Sequence, residues 1–382
     1  LSRSGKEGAG GSHNSGGVRV SSLAMDTRIV PVIRGLCIAL LGAGLAVWMG
    51  TPLPWLLGPL FLTAATRVAG MPTRCPAPFN KFGRWVIGLS LGLYFSAEVM
   101  QSLAQHWGLI LSGILYAQVL AVIGCWFYHR VGGLDVGTAW FSSAIGTASE
   151  IVNMAHRHGT RADHVATVHS VRVLLVVALV PFGVQWLGGD ASHLRGAARD
   201  VHWGSLLPLM AGSLVSVWFF LRVRLPNAWL LGALLFVAAV NLLQLLPHTD
   251  LPRWVSWAGQ LCIGWSFGDR YRPDFLRCAP RLLSAACVFT LASIALTVGL
   301  GEVLSPLVGL PAPSLILGLM PGGIAEMTLT ARALELGVAM VTAMQVARML
   351  SVVFSTPAIY RRFIQDREGD RASGAQESNP PV

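Results

Sequence analysis

A six-residue motif, Trp-Leu-Leu-Gly-Pro-Leu at residues 55–60, has a copy in the chain that differs at one position. It returns 174 positions later as Trp-Leu-Leu-Gly-Ala-Leu at residues 229–234. Similarity at a fixed spacing is the sequence signature of an internal repeat, and many membrane transporters are built from duplicated halves. The motif therefore predicts a chain made of two related halves.

Further residues repeat at a spacing of 176 positions, which extends the duplication over most of the chain. Agreement of so many Gly, Glu, Arg and Pro positions in one register is not expected by chance. We therefore predict a first repeat over residues 25–190 and a second repeat over residues 203–362. The pairs are Gly83 with Gly259, Gly88 with Gly264, Ser90 with Ser266, Gly92 with Gly268, Gly146 with Gly322, Glu150 with Glu326, Arg172 with Arg348 and Pro181 with Pro357.

The composition places these repeats in a membrane. Of the 382 residues, 53% are hydrophobic and 12% are charged, whereas soluble domains have about 25% charged residues. No Asp, Glu, Lys or Arg occurs between Arg34 and Arg67. Uncharged apolar runs of about 18 residues or more are typical of bilayer-spanning helices. This composition excludes an ordinary soluble protein.

Each repeat contains about six apolar segments. The fifth segment of each repeat is unusual because it is short, is interrupted by glycine and carries a glutamate. The predicted segments lie near 29–50, 53–70, 85–101, 107–128, 136–155 and 165–188, and near 203–221, 226–247, 254–268, 282–300, 311–331 and 340–360.

The positions of the basic residues predict the topology. Short loops rich in Lys and Arg face the cytoplasm. If each fifth segment enters and leaves on the same side, and the N-terminus is cytoplasmic, then the basic loops at 67–84, 222–224 and 270–281 all face the cytoplasm. We therefore predict an all-α integral membrane protein with about ten transmembrane helices and two interrupted, re-entrant segments. The two repeats are inverted, as in many secondary transporters, and both termini are cytoplasmic.

The chain ends are expected to lie outside the repeats. Residues 1–24 are polar and rich in Gly and Ser, and Met25 directly precedes the first apolar run. We expect residues 1–24 to be a disordered leader, or one wrongly joined to the protein, and residues 363–382 to be a disordered cytoplasmic tail. No predicted loop has room for a soluble domain of about 50 residues. Direct binding of nucleic acid is therefore not expected.

The interruptions of the fifth segments are the predicted substrate or ion site. Proline removes a backbone donor and glycine tolerates unusual backbone angles, so a break of this kind frees backbone groups to face a cavity or ligand. The second repeat has Pro-Gly-Gly, whereas the first has one glycine, no proline and two extra hydroxyl groups. The candidate residues are Gly146, Thr147, Ser149 and Glu150 in the first repeat and Pro321, Gly322, Gly323 and Glu326 in the second.

One arginine in the sixth segment of each repeat is a candidate partner for the glutamates. Arg172 and Arg348 each follow their glutamate by 22 residues. An unpaired charge in the membrane costs several kcal/mol, so we expect Glu150 to pair with Arg172 and Glu326 with Arg348. Either these pairs line a central site where a carboxylate binds a proton or a cation, or they are ion pairs that lock the repeats together.

His169 lies one helical turn before Arg172, and its counterpart in the second repeat is Gln345. It is either a proton relay or a hydrogen-bonded interior histidine. The six cysteines are scattered without a Cys-x-x-Cys pair, and no carboxylate cluster accompanies the histidines. We therefore expect neither a metal site nor a cofactor.

These motifs together resemble one known family. The repeated Trp-Leu-Leu-Gly motif, the Gly-x4-Gly-x-Ser-x-Gly segment, the Pro-Gly-Gly-x-x-Glu-Met stretch at 321–327 and the helices around Arg172 and Arg348 resemble the AbrB family of bacterial membrane proteins. The resemblance covers residues 31–362. It implies a bacterial inner-membrane protein related in fold to inverted-repeat cation/proton antiporters and bile-acid transporters. The first repeat departs from the family's Pro-Gly-Gly pattern at Gly146, which argues against two symmetric sites.

The sequence pattern and the family labels suggest three functions. The inverted repeat favours a secondary transporter or exporter of an unidentified small molecule, coupled to protons or cations. The family is also labelled a regulator of aidB expression, which without a DNA-reading domain implies indirect regulation from the membrane. A third label, ammonia monooxygenase, requires clustered metal ligands or a cofactor that the sequence lacks. We therefore expect no enzyme activity; the lipid bilayer is the expected partner, and homodimer formation stays open.

Overall fold

The computed structural model describes residues 16–186, 201–271 and 280–365, and the regular secondary structure in these ranges is helical. The helices that fall in the predicted first repeat, or begin shortly before it, are α1 (Gly16–Trp48), α2 (Pro54–Val68), α3 (Ala77–Gly92), α4 (Ala97–Gln105), α5 (Trp107–Arg130), α6 (Val136–Ser143), α7 (Ala148–Arg157) and α8 (Ala162–Trp186). The second contains α9 (Trp203–Arg222), α10 (Ala228–Leu242), α11 (Arg253–Gly268), α12 (Pro280–Val308), α13 (Ala312–Leu319), α14 (Ile324–Ala333) and α15 (Val338–Ile359), which continues into a short π-helix (Tyr360–Gln365).

The predicted all-α membrane class is confirmed. Six helices of the described ranges are long and apolar enough to cross a membrane, or seven if α3 and α4, which are bent by 86°, form one span. The predicted count of ten also requires α2, α10 and α11, which have 15 or 16 residues, to cross the bilayer. The count of ten therefore stays a prediction.

The fifth segment of each repeat is a hairpin of two short helices. The backbone N–H of Arg161, after α7, donates to Thr138 Oγ1 near the start of α6 at 3.1 Å. In the second repeat, a Cβ atom added to Gly337, after α14, would lie 3.3 Å from Ser314 Oγ near the start of α13. The chain thus leaves each hairpin where it entered it, which is the geometry of a re-entrant segment.

The two repeats pack against each other through two equivalent pairs of helices. The Trp-Leu-Leu-Gly helix of each repeat, α2 or α10, lies against the glycine-rich helix of the other, α11 or α3. A Cβ atom at Gly88 would lie 2.3 Å from the Leu230 carbonyl oxygen, and one at Gly264 would lie 2.3 Å from the Leu56 carbonyl oxygen. The same motif thus makes the same backbone approach on both sides, as expected for two structurally equivalent repeats.

The described helices form two bundles. The first bundle consists of α1–α3 and α9–α11, and the second consists of α5–α8 and α12–α15. Helix α4 packs against α15, and the bundles meet mainly where α3 lies against α14 and α15. Both hairpins therefore belong to the second bundle, and their tips lie near its boundary with the first.

The chain ends differ in part from expectation. Helix α1 begins at Gly16, so helical structure extends into the predicted leader at 1–24. Residues 1–15, and the part of the predicted tail from residue 366 onward, lie outside the described residues. The region equivalent to α4 in the second repeat, near residue 273, also lies largely outside them.

Candidate functional site

The tips of the two hairpins line one cavity of about 80 Å³. By the same measure a water molecule needs about 10–15 Å³, so the cavity holds a small solute or several waters. The structure thus brings together most of the predicted site residues, although they lie far apart in sequence. Those that line the cavity are Gly146, Thr147, Ser149, Arg172, Gly322, Gly323, Glu326 and Arg348.

Three predicted site residues do not line this cavity. Pro321 is buried in the break between α13 and α14, where it ends α13 at Leu319 by removing a backbone donor. Glu150 is half-buried on α7. His169 is fully buried and lines a smaller pocket beside the cavity.

The predicted ion pairs are wrong: within the described ranges, neither glutamate lies within salt-bridge distance of its arginine. Instead, the arginines bind the carbonyl groups at the ends of α6 and α13. Arg172 Nη1 donates to the Ala144 carbonyl at 3.1 Å, and the Arg348 guanidinium donates to the Met320 and Gly322 carbonyls. The last carbonyls of a helix lack intrahelical partners, and a cation is favourable at a helix C-terminus.

His169 and Gln345 occupy equivalent places beside these arginines. His169 Nδ1 accepts from Arg172 Nη2 at 2.8 Å, so Nε2 carries the proton and donates to the Phe141 carbonyl at 3.1 Å. Gln345 repeats this arrangement, because its Oε1 accepts from Arg348 at 2.6 Å and its Nε2 donates to the Leu317 carbonyl at 2.7 Å. Both ring nitrogens of His169 therefore form hydrogen bonds that hold the hairpin tip in place.

Glu326 is the buried acid of the cavity. Its side chain is 3% exposed, and its Oε2 has no hydrogen-bond partner in the described part of the protein. The carboxylate folds back over Gly323, where an added Cβ atom would collide with it. An unpartnered buried carboxylate is expensive, so this oxygen is placed to take a proton or another ligand. Glu150 is more exposed, so the two glutamates are not equivalent.

Two further arginines of the cavity, Arg84 and Arg270, were not among the predicted site residues and were interpreted as loop charges that set topology. Arg84 lies within α3 and donates to Asn227 Oδ1 at 3.1 Å, and Arg270 lies just after α11 with its guanidinium 4.9 Å from the Phe267 ring centre. Both line the cavity. The available signal was the position of Arg84 one residue after Gly83, inside the repeated glycine motif.

The described residues contain no group of three or more His, Cys, Asp or Glu side chains arranged to hold a metal ion. The cysteines in these ranges are free, and Cys278 lies outside them.

Comparison with known proteins identifies the family. Residues 55–364 match the sequence model of the family described as "Transition state regulatory protein AbrB". The chain belongs to the AbrB family. It is 26% identical over 362 residues to "Uncharacterized protein YhjN" of Bacillus subtilis (strain 168), covering 88% of this chain and 94% of that protein. It is 25% identical over 320 residues to "Putative regulator AbrB" of Escherichia coli (strain K12), covering 81% of this chain and 90% of that protein.

The family and the helices agree with the motifs from which the resemblance was drawn. An AbrB-family protein with several membrane-length helices is a membrane-type helical protein, and the relatives' lengths match that of this chain. The relatives' names speak of regulation or give no function.

Proposed function

We propose that this AbrB-family protein is a secondary transporter or exporter of a small molecule, coupled to protons or cations. In this proposal it lies in the bacterial inner membrane with both termini cytoplasmic. The observation that carries the proposal is the cavity between the two hairpin tips, which contains the buried Glu326 carboxylate, whose Oε2 has no hydrogen-bond partner among the described residues. Interrupted helices that meet near the middle of inverted repeats are where secondary transporters bind substrate and coupling ion.

The two bundles supply a route to alternating access. The cavity is lined by Arg84 in the middle of α3, and it extends toward one end of the molecule, where Asn227 begins α10 and Arg270 follows α11. Toward the other end, Arg332 of α14 donates to Ser90 of α3 and, at 2.9 Å, to Ser256 of α11. These bonds join the second bundle to the first. Movement of one bundle against the other would break them and expose the cavity to the opposite side.

A second candidate is indirect regulation of gene expression, which the family description and the name of the E. coli relative favour. In this alternative the protein senses or moves a small molecule that a cytoplasmic regulator reads. The same cavity serves both candidates, and net flux distinguishes them. Neither candidate includes enzyme chemistry or direct contact with nucleic acid.

The test replaces Glu326 with Gln, which keeps the size of the side chain and removes its negative charge. Purified protein is reconstituted in liposomes, and solute uptake from a small-metabolite panel is measured with and without a pH gradient. We expect Glu326→Gln to lose gradient-driven accumulation because a permanently neutral side chain cannot take and release a proton. The matched control is Glu302→Gln, a change of the same chemistry at an exposed position on α12.

Two results would contradict the proposal. Gradient-driven uptake that is unchanged in folded Glu326→Gln would show that this carboxylate is not the coupling group. A lack of flux for every solute, in folded wild-type protein that nevertheless binds a ligand, would favour the sensor.

A further inference from the structure

The cavity carries a strong excess of positive charge. Four arginines line it, Arg84, Arg172, Arg270 and Arg348, whereas Glu326 is the one acidic lining residue among those that the structure describes. They come from four parts of the fold, namely α3, α8, the end of α11 and α15. Since each basic side chain in a small, partly buried space repels the others, the arrangement is costly unless negative charge enters.

The backbone adds positive potential at the same place. Helices α7 and α14 have ten residues each and begin at the two hairpin tips, with Ala148 and Ile324 in the cavity wall. Helix N-termini carry partial positive charge and free N–H groups, which suits an anion. The buried Arg348 Nε also has no hydrogen-bond partner in the described part of the protein, so a donor is left for a ligand acceptor.

The four arginines do not have equal freedom to bind a solute. Arg172 and Arg348 are committed to the carbonyls of the hairpin tips. Arg84 makes one hydrogen bond to a neutral amide, and Arg270 rests on an aromatic ring. A guanidinium of this kind presents a planar fork of donors that matches a carboxylate or another oxoanion. Part of the remaining wall is apolar and includes Leu230, Ile263 and Met349.

We infer that the solute of this cavity is a small organic anion, held by Arg84 and Arg270 at the N-termini of α7 and α14, whose binding is linked to protonation of Glu326. The inference rests on the proposed transport function and names its substrate class. An ionised Glu326 competes with the solute for the same arginines, whereas a protonated Glu326 leaves them to the solute. Proton and anion therefore bind together and cross in the same direction.

Charged and titratable groups on the elements around Glu326 affect the linkage between its protonation and anion binding. No covalent step is involved, because the proton adds to a Glu326 carboxylate oxygen and leaves from it on the other side. The charged and titratable groups around it are Arg84 on α3, Arg172 on α8, Arg270 and Tyr271 after α11, and Arg348 on α15. Glu150 on α7 interacts electrostatically with Arg84.

The test separates binding from transport. Thermal stability of the purified full-length protein is measured with lactate, succinate and benzoate, with inorganic phosphate and sulfate, with choline and putrescine, and with glycerol, in acidic and in neutral buffer. We expect one or more carboxylates to stabilise the protein, and to do so at lower concentration in acidic buffer. Stabilisation by phosphate or sulfate alone would overturn the organic part of the inference, and stabilisation only by the cations or glycerol would overturn all of it.

Variants test the named residues. Arg84→Gln and Arg270→Gln should each raise the half-maximal carboxylate concentration about tenfold or more, because each removes a charged donor. Arg222→Gln, at the exposed C-terminal end of α9, is the matched control. Glu326→Gln should bind the carboxylate with an affinity that no longer depends on pH. Arg84→Lys and Arg270→Lys keep the charge and should retain part of the binding, which shows that loss in the Gln variants is not misfolding.

The outcomes distinguish the two proposals. Carboxylate binding with the expected variant profile but without flux in liposomes would keep the anion site and contradict transport. Flux of a cation or neutral solute without anion binding would keep transport and contradict the anion site. No stabilisation by any carboxylate in folded protein, or unchanged affinity in both Arg→Gln variants, would also contradict it.

Discussion

The two repeats hold their hairpin tips by equivalent hydrogen bonds, but the residues that support the arginines differ. Each hairpin tip ends a short helix whose last carbonyls need donors, and Arg172 and Arg348 supply them. Each arginine is in turn held by the residue three positions earlier, a histidine in one repeat and a glutamine in the other. Because glutamine has no titratable proton, a role shared by His169 and Gln345 requires only one acceptor and one donor.

This equivalence predicts the result of replacing His169. We expect His169→Gln to retain transport, because glutamine can accept from Arg172 and donate to the Phe141 carbonyl as Gln345 does in the second repeat. His169→Leu should lower stability by about 1–3 kcal/mol, because it leaves buried polar groups without partners. Thermal unfolding and liposome uptake check both variants. A folded His169→Gln variant without transport would instead establish the proton relay.

The residue types of the site could be read from the sequence, but their partners could not. Gly146, Gly322 and Glu326 stand out because the duplication aligns them and because helix breaks in apolar segments are costly. The pairing of glutamate with arginine followed from charge alone and was wrong, since helix ends offer carbonyls that no sequence pattern displays. Arg84 was predicted to be a loop residue that sets topology, because the sequence does not show whether an arginine lies in a loop or deeper in the fold.

At the scale of the element, glycine sets how closely the two repeats approach. The glycine-rich helices α3 and α11 place backbone against backbone of α10 and α2, where a single methyl group would meet a carbonyl oxygen. Small residues at helix interfaces permit this approach in membranes, where packing rather than hydrophobic burial drives association. The sequence shows that these glycines are repeated. It did not reveal that the packing partner belongs to the other repeat, because the spacing of a repeat carries no information about contacts.

Alanine at Gly264 tests this packing. A Cβ atom there would lie 2.3 Å from the Leu56 carbonyl oxygen, so the helices must separate. We expect Gly264→Ala to lower the thermal stability in detergent, with a cost of about 1–3 kcal/mol or more. Gly299→Ala is the control, since no atom lies within 4 Å of its added Cβ and the change is expected to be neutral or slightly stabilising. Equal unfolding temperatures for the two variants would contradict the crossed packing.

At the scale of the whole molecule, the inverted arrangement decides whether the cavity lies midway between two membrane faces. Each hairpin starts and ends at one end of the molecule, and the tips of both reach the same cavity. Two hairpins that meet tip to tip from opposite faces place that cavity near the middle of the bilayer, so that only a conformational change can open it to the opposite side. Loop charges predict this inversion, and a topology experiment can test it.

The experiment labels one residue at the outer end of each hairpin. In a background without native cysteines, Arg157→Cys after the first hairpin and Glu335→Cys after the second introduce single thiols at exposed positions. We expect a membrane-impermeant maleimide added to intact cells to label Glu335→Cys and to leave Arg157→Cys unlabelled until the membrane is opened, because short basic loops stay in the cytoplasm. Both variants should react fully in detergent, which controls for burial of the thiol. Labelling of both from outside, or of neither, would place the hairpins on one face. The two tips could then not enclose a cavity in the middle of the membrane. This result would contradict both the predicted topology and transport by alternating access through this site.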